Sequence, residues 1–166
     1  MIIIYHCYGS AHTSVIASAI HLGLLPANRV PTSQEILTLP YYDQINNEQI
    51  GNPYYIGKDE FNSRVYILGL ANNKDVVIRS IFSLLKIYGI PSRQLLMVDS
   101  LVEIHYLTRI GGFLSRRLGL VKLGRPLTVK GIQSGYFPFV RLVNEVKKKL
   151  KDNAREKEKF KLHQIS

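Results

Sequence analysis

Apolar residues along the chain fall into short runs whose spacing switches between a continuous or alternating pattern and a helical one. Ile2 to Tyr5 is β-branched and unbroken, which predicts a buried strand over 2–6. A small, polar loop follows, and Val15 to Leu22 then predicts a helix over 14–22 in which Ala17, Ser18 and Ala19 allow close packing on a sheet. After Pro31, Thr32-x-x-Glu35 is a capping box for a short helix to about Leu39, stopped by Pro40. Residues 41–53 are polar and read as loop. Tyr54–Ile56 and Arg64–Leu68 predict two strands joined through 57–63 as a hairpin or antiparallel edge. Asn73 caps a helix over 74–88 carrying Val77, Ile81, Leu84, Leu85 and Tyr88, ended by Gly89 and Pro91. Gln94 to Val98 is a second buried strand, and Asp99 closes it.

Beyond about Leu101 a helical pattern begins and is interrupted at Gly111-Gly112. Leu127-Thr128-Val129 reads as a short strand, and a last helix starts near Pro138, where proline is tolerated in a first turn. Strands alternating with helices predict one α/β domain over 1–151, three-layered and Rossmann-like or phosphate-loop-like, with a mixed, mainly parallel sheet. Residues 152–166 form a charged tail, either a solvated helix end or disordered.

Composition narrows the class. With 46% hydrophobic and 20% charged residues the chain is globular, and one cysteine excludes a disulfide framework. No apolar run approaches the roughly 20 residues of a membrane span, and no basic segment precedes Ile2, so the expected location is cytoplasmic. The net charge of +10 is unevenly placed. No acidic residue lies between Glu103 and Glu145, while Arg109, Arg116, Arg117, Lys122, Arg125, Lys130 and Arg141 all do. Such a segment calls for a solvated face or an anionic partner: phosphate, nucleotide, nucleic acid or anionic lipid.

The first loop is the strongest chemical lead. Strand, tight loop and helix start bring backbone N–H groups and a helix dipole to one point, an arrangement that holds phosphate. The loop His6-Cys7-Tyr8-Gly9-Ser10-Ala11-His12-Thr13-Ser14 adds a thiol, imidazoles and hydroxyls. It is not a Walker loop, because there is no G-x-x-x-x-G-K-[ST]; His12 stands roughly where the lysine would. A metal site using His6, Cys7, His12 and His21 is the weakest alternative, since neighbouring His6 and Cys7 point to opposite sides of a strand. No metal ligand set and no cofactor is assigned.

Cys7-x-Gly9-x-x-x-Thr13-Ser14-x-x-Ala17 resembles the low-molecular-weight protein tyrosine phosphatase loop, C-x-G-x-x-x-R-S-x-x-A. That resemblance implies Cys7 as nucleophile, its thiolate favoured by the helix start. Thr13 stands in place of the family's phosphate-clamping arginine, and the chain has no Asp-Pro general-acid signature. A second constellation, Arg109, Gly111, Gly112, Ser115, Arg116 and Arg117 followed by Arg125, offers close backbone approach and guanidinium forks. Asp99 ends a strand, where open α/β sheets place functional groups, and would otherwise cap the next element. Tyr41-Tyr42 and Tyr54-Tyr55 could stack a base or simply fill the core.

Four ordered motifs carry a wider resemblance: HCYG-x-AH-[ST]-S, LP…P-x-x-x-E-I, K-D-E-x-x-x-x-V-Y-x-L-G and R-I-G-G-x-L-S-R-R-L-G. Together they are similar to a bacterial family catalogued as domain of unknown function 3189, over nearly the whole chain to about Leu150. The family implies no established activity. The expectation from the residues is therefore binding of a phosphorylated small molecule or nucleotide at loop 6–14. His12, Thr13 and Ser14 would hold phosphate and Arg116, Arg117 and Arg125 would close over it. Any catalysis would be phosphoryl transfer or hydrolysis through His12 or Cys7. The alternatives are a Cys7 phosphatase-like enzyme and a non-catalytic regulatory or nucleic-acid-binding module that uses the basic surface.

Overall fold

In the computed structural model, which describes residues 1–101 and 121–163, the first strand β1 (Ile2–Cys7) is the centre of a four-stranded sheet. It pairs in parallel with β3 (Arg64–Gly69) on one side and β4 (Leu95–Asp99) on the other. The edge strand β2 (Tyr54–Lys58) runs antiparallel to β3. A strand hydrogen-bonded on both edges and covered on both faces must be apolar throughout, which is why Ile2–Tyr5 shows no alternation.

Helices cover the two faces. On one, Ile3, Tyr5, Val65, Ile67 and Val98 pack against α1 (Thr13–His21), α4 (Val121–Ser134) and α5 (Tyr136–His163). On the other, Ile4, Leu68 and Leu70 meet Val77, Ile78 and Ile81 of α3 (Lys74–Ile87). The result is a three-layer, Rossmann-like α/β fold with a mainly parallel sheet. The short helix α2 (Ser33–Leu37) carries the capping box read from Thr32 and Glu35. The connection from β1 leaves over one face through α1, whereas α3 carries β3 to β4 across the other. The winding therefore reverses between the C-terminal ends of β1 and β4, the place where open α/β sheets hold ligands.

Two elements differ from the sequence pattern. Leu127-Thr128-Val129 is not a strand but part of α4, which accommodates Pro126. Thr128, Val129 and Ile132 are all buried, a helical spacing, and the Thr128 hydroxyl donates back to the Arg125 carbonyl. Tertiary burial thus overrides the β preference of a branched run. In α3, Leu84 and Tyr88, the latter at its C-cap, are exposed, so only the first half of the apolar stripe reaches the sheet. The expected break at Gly111-Gly112 lies outside the described residues.

One polar chain crosses the core. The Tyr5 hydroxyl lies 2.8 Å from His21 Nδ1, and His21 Nε2 lies 3.1 Å from Asp59 Oδ2. Asp59 Oδ1 accepts the N–H groups of Phe61 and Ser63, so the carboxylate also shapes the β2–β3 turn. Burial holds the His21 imidazole below its ordinary pKa, against the pull of Asp59. Burial likewise holds His6 low; Asp99 opposes that and Lys74 adds to it. Both histidines are more basic in the unfolded chain, where the pKa is about 6.5. Stability is therefore expected in full above pH about 6.5 and lost as pH falls below it, since the unfolded state takes up protons that the folded state refuses. Urea midpoints should drop between pH 7.5 and 5.5; a flat or rising midpoint contradicts this.

Candidate functional site

At the end of β1 the chain turns sharply to enter α1, and the turn closes around the Cys7 sulfur. The Ser10 N–H donates to Sγ at 3.2 Å, and Ser14 Oγ lies 3.2 Å from the same atom. Ser10 adopts φ 56°, the left-handed region, which lets the loop reverse in so few residues. Two further bonds hold the loop against the next crossover: Leu70 N–H to Cys7 O and Ala71 N–H to Tyr8 O. Gly69 makes this approach feasible. A Cβ there would sit 3.1 Å from the Gly9 backbone and from Ser10 Oγ.

Helix α1 starts without a side-chain cap. His12 occupies the N-cap position and makes no capping hydrogen bond. The first N–H groups of a helix have no partner within it, so this end presents donors and a positive dipole. Thr13 and Ser14 are buried in its first turn, and Tyr8 is the exposed residue of the loop. The hydroxyls of Ser10 and Ser100 are buried without a hydrogen-bond partner among the described residues. Ser100 N–H donates to His6 O, which continues the β1–β4 register by one residue and sets Ser100 beside Cys7.

His12 is held from a segment that the pattern presents only as polar loop. Its Nε2 is 3.2 Å from Asp43 Oδ1, and its ring meets Tyr42 edge-on at 5.4 Å. Asp43 Oδ2 accepts Arg125 Nε at 3.1 Å, and the Tyr42 hydroxyl donates to Thr128 one turn further along α4. Asp43 N–H donates to Ala11 O, and Tyr41 and Asp43 both have positive φ. Asp43 thus joins the first loop to α4 and brings Arg125 to its edge. Arg109, Gly111, Gly112, Ser115, Arg116 and Arg117 lie outside the described residues.

Alternation along β1 separates two other expected partners from the loop. His6 and Asp99, side by side in register, lie towards α3, where Asp99 Oδ2 accepts Lys74 Nζ at 2.9 Å. Burial raises the Asp99 pKa, but the Leu101 N–H and the Lys74 ammonium outweigh it and hold the carboxyl below its usual range. His21 is committed to Tyr5 and Asp59. Among the described residues no group of three or more His, Cys, Asp or Glu is placed to hold a metal ion. Tyr42 is a core residue, and the Tyr41–Tyr54 and Tyr55–Tyr66 ring pairs are at 5.1 and 5.3 Å.

A sequence profile described as Protein of unknown function (DUF3189) matches residues 2–148, which spans β1 through most of the described fold. The chain belongs to that family. The DUF3189 match includes the loop, Asp43, Asp99 and Arg125, so the whole arrangement around β1 falls within the family's extent. Neither a curated protein nor a solved structure matches the chain.

Two substitutions test the geometry of this DUF3189 loop. Gly69→Ala should cost about 1–3 kcal/mol in urea unfolding, because the new methyl meets backbone that cannot step aside; a cost near zero would contradict the close approach. Asp43→Ala removes its bonds to His12 and Arg125 and puts alanine at φ 55°, for an expected loss of about 2–4 kcal/mol. Asp43→Asn tolerates that φ and keeps one acceptor oxygen, so it should lose less than half as much. Equal losses would mean that the side-chain bonds contribute little.

Proposed function

We propose that the chain binds a phosphorylated small molecule or nucleotide at the loop 6–14, with its phosphate at the start of α1. What carries the reading is the pair of buried, unpartnered hydroxyls, Ser10 and Ser100, beside an uncapped helix N-terminus. Buried hydroxyls without acceptors are destabilising, and an anion seated there would accept from both. The Thr13 and Ser14 hydroxyls and the helix N–H groups would complete the cradle. Arg125, two-fifths exposed and reached from His12 through Asp43, keeps further N–H groups for the ligand. Any chemistry here would be phosphoryl transfer or hydrolysis with His12 or Cys7 as the reacting group.

A second reading, a phosphatase-like thiol, is favoured by one contact pattern: Sγ receives a backbone N–H and lies beside the Ser14 hydroxyl, at the matching motif positions. Against it, Thr13 offers no guanidinium, and Arg125 has its Nε on Asp43. Hydrolysis of p-nitrophenyl phosphate that disappears in Cys7→Ser supports this reading, and its absence from the intact chain overturns it.

The anion reading is tested by melting the protein with millimolar inorganic phosphate and with nucleoside monophosphates. Ligand at about a hundred times its Kd stabilises by about 2.7 kcal/mol, a rise of several degrees. Ser10→Gly, which keeps the backbone conformation, and Ser100→Ala should each shrink the rise. A melting temperature that none of these anions moves overturns the proposal.

A further inference from the structure

The face of β1 turned away from the Cys7 loop carries its own set of groups. There His6 lines a cavity of about 310 Å³ with Lys74, Ile78 and Phe82 of α3 and Met97 and Asp99 of β4. The size is at the lower end for small-molecule sites, which run from about 300 to 1,000 Å³. His6 is 3% exposed, and its Nδ1 has no hydrogen-bond partner among the described residues. A buried ring nitrogen is costly to leave unmet, and the residue that carries it is part of the cavity lining.

The charges of the cavity narrow what it would take. Lys74 Nζ and Asp99 Oδ2 are 2.9 Å apart, so the wall presents a cation and an anion that cancel. The other Asp99 oxygen accepts the Leu101 N–H. Burial keeps the His6 imidazole neutral near pH 7. A phosphate or carboxylate would meet Asp99, and an amine would meet Lys74. An uncharged ligand meets neither penalty, and it gains a donor from the ammonium and an acceptor from the carboxylate at adjacent positions. The remaining lining is apolar and includes the aromatic Phe82 and the polarisable Met97.

We propose that this cavity is a ligand site distinct from the loop, taking an uncharged planar heterocycle with neighbouring donor and acceptor atoms, a nucleobase or nucleoside, whose polar edge is read by His6, Lys74 and Asp99. The site stands on the α3 face and does not rest on the anion reading of the loop.

The test is titration of the full chain with adenosine, guanosine, cytidine and uridine, followed by calorimetry or amide chemical shifts. At least one nucleoside should bind, with shifts centred on residues 74–82 and 95–99. His6→Leu should weaken it about tenfold or more, since one buried hydrogen bond is lost. Asp99→Asn and Lys74→Met change partly exposed side chains and carry the same expectation should His6→Leu fail to fold. Millimolar inorganic phosphate should leave nucleoside affinity unchanged. The proposal is overturned by no binding of any nucleoside up to its solubility, by affinity that Asp99→Asn and Lys74→Met leave intact, or by displacement with phosphate, which would place the ligand at the loop. Failure of phosphate to bind with nucleoside binding retained would overturn only the loop reading.

Discussion

The arrangement depends on a buried polar chain, Tyr5–His21–Asp59. Each member belongs to a different part of the fold: the central strand, the C-terminal end of α1 and the β2–β3 turn. Hydrogen bonds in a dry interior are directional and costly to leave unmade, so the three groups fix rotation and height together. Apolar packing of Ile16, Ala17 and Ile20 would tolerate a helix rotated or slid along the sheet; this chain does not. With the last turn of α1 pinned, its first turn can stand only at the end of β1, which is where Cys7 meets Ser14.

The legible part of the sequence was the part governed by local rules. The unbroken Ile2–Tyr5 run, the Thr32–Glu35 capping box, the hairpin around residues 57–63 and the Gly89–Pro91 stop all reappear in the structure. What was not legible depended on contacts between distant positions. Leu127-Thr128-Val129 carries strand chemistry and is helical because of what it packs against. Asp43 looks like any polar loop residue, and its importance appears only once α4 brings Arg125 to it across 82 positions. Ser100 and Lys74 had no motif, and Gly69 gave no sign of the loop that presses on it. The one long-range feature that did show was alternation, because adjacency of His6 and Cys7 requires them to face opposite ways.

That alternation divides the sheet edge into two chemically unlike sides. The α1 side gathers hydroxyls, a thiol and a helix start, and draws a cation to its rim through Asp43. The α3 side gathers apolar surface with a balanced ion pair and a neutral imidazole. Asp43 matters to the first side in a particular way. It holds Arg125 near the loop through Nε, while the guanidinium side chain stays partly exposed.

The edge strand β2 has a consequence beyond the site. A sheet with an open edge is a template for a strand from another molecule. Here the register shifts between Tyr55 and Gly57, Pro53 precedes the strand, and Lys58 ends it exposed. A bulge breaks the even row of donors and acceptors that an incoming chain would need, and a lysine at the end would have to be stripped of water. The irregular, lysine-ended β2 therefore discourages edge-to-edge growth from its side of the sheet.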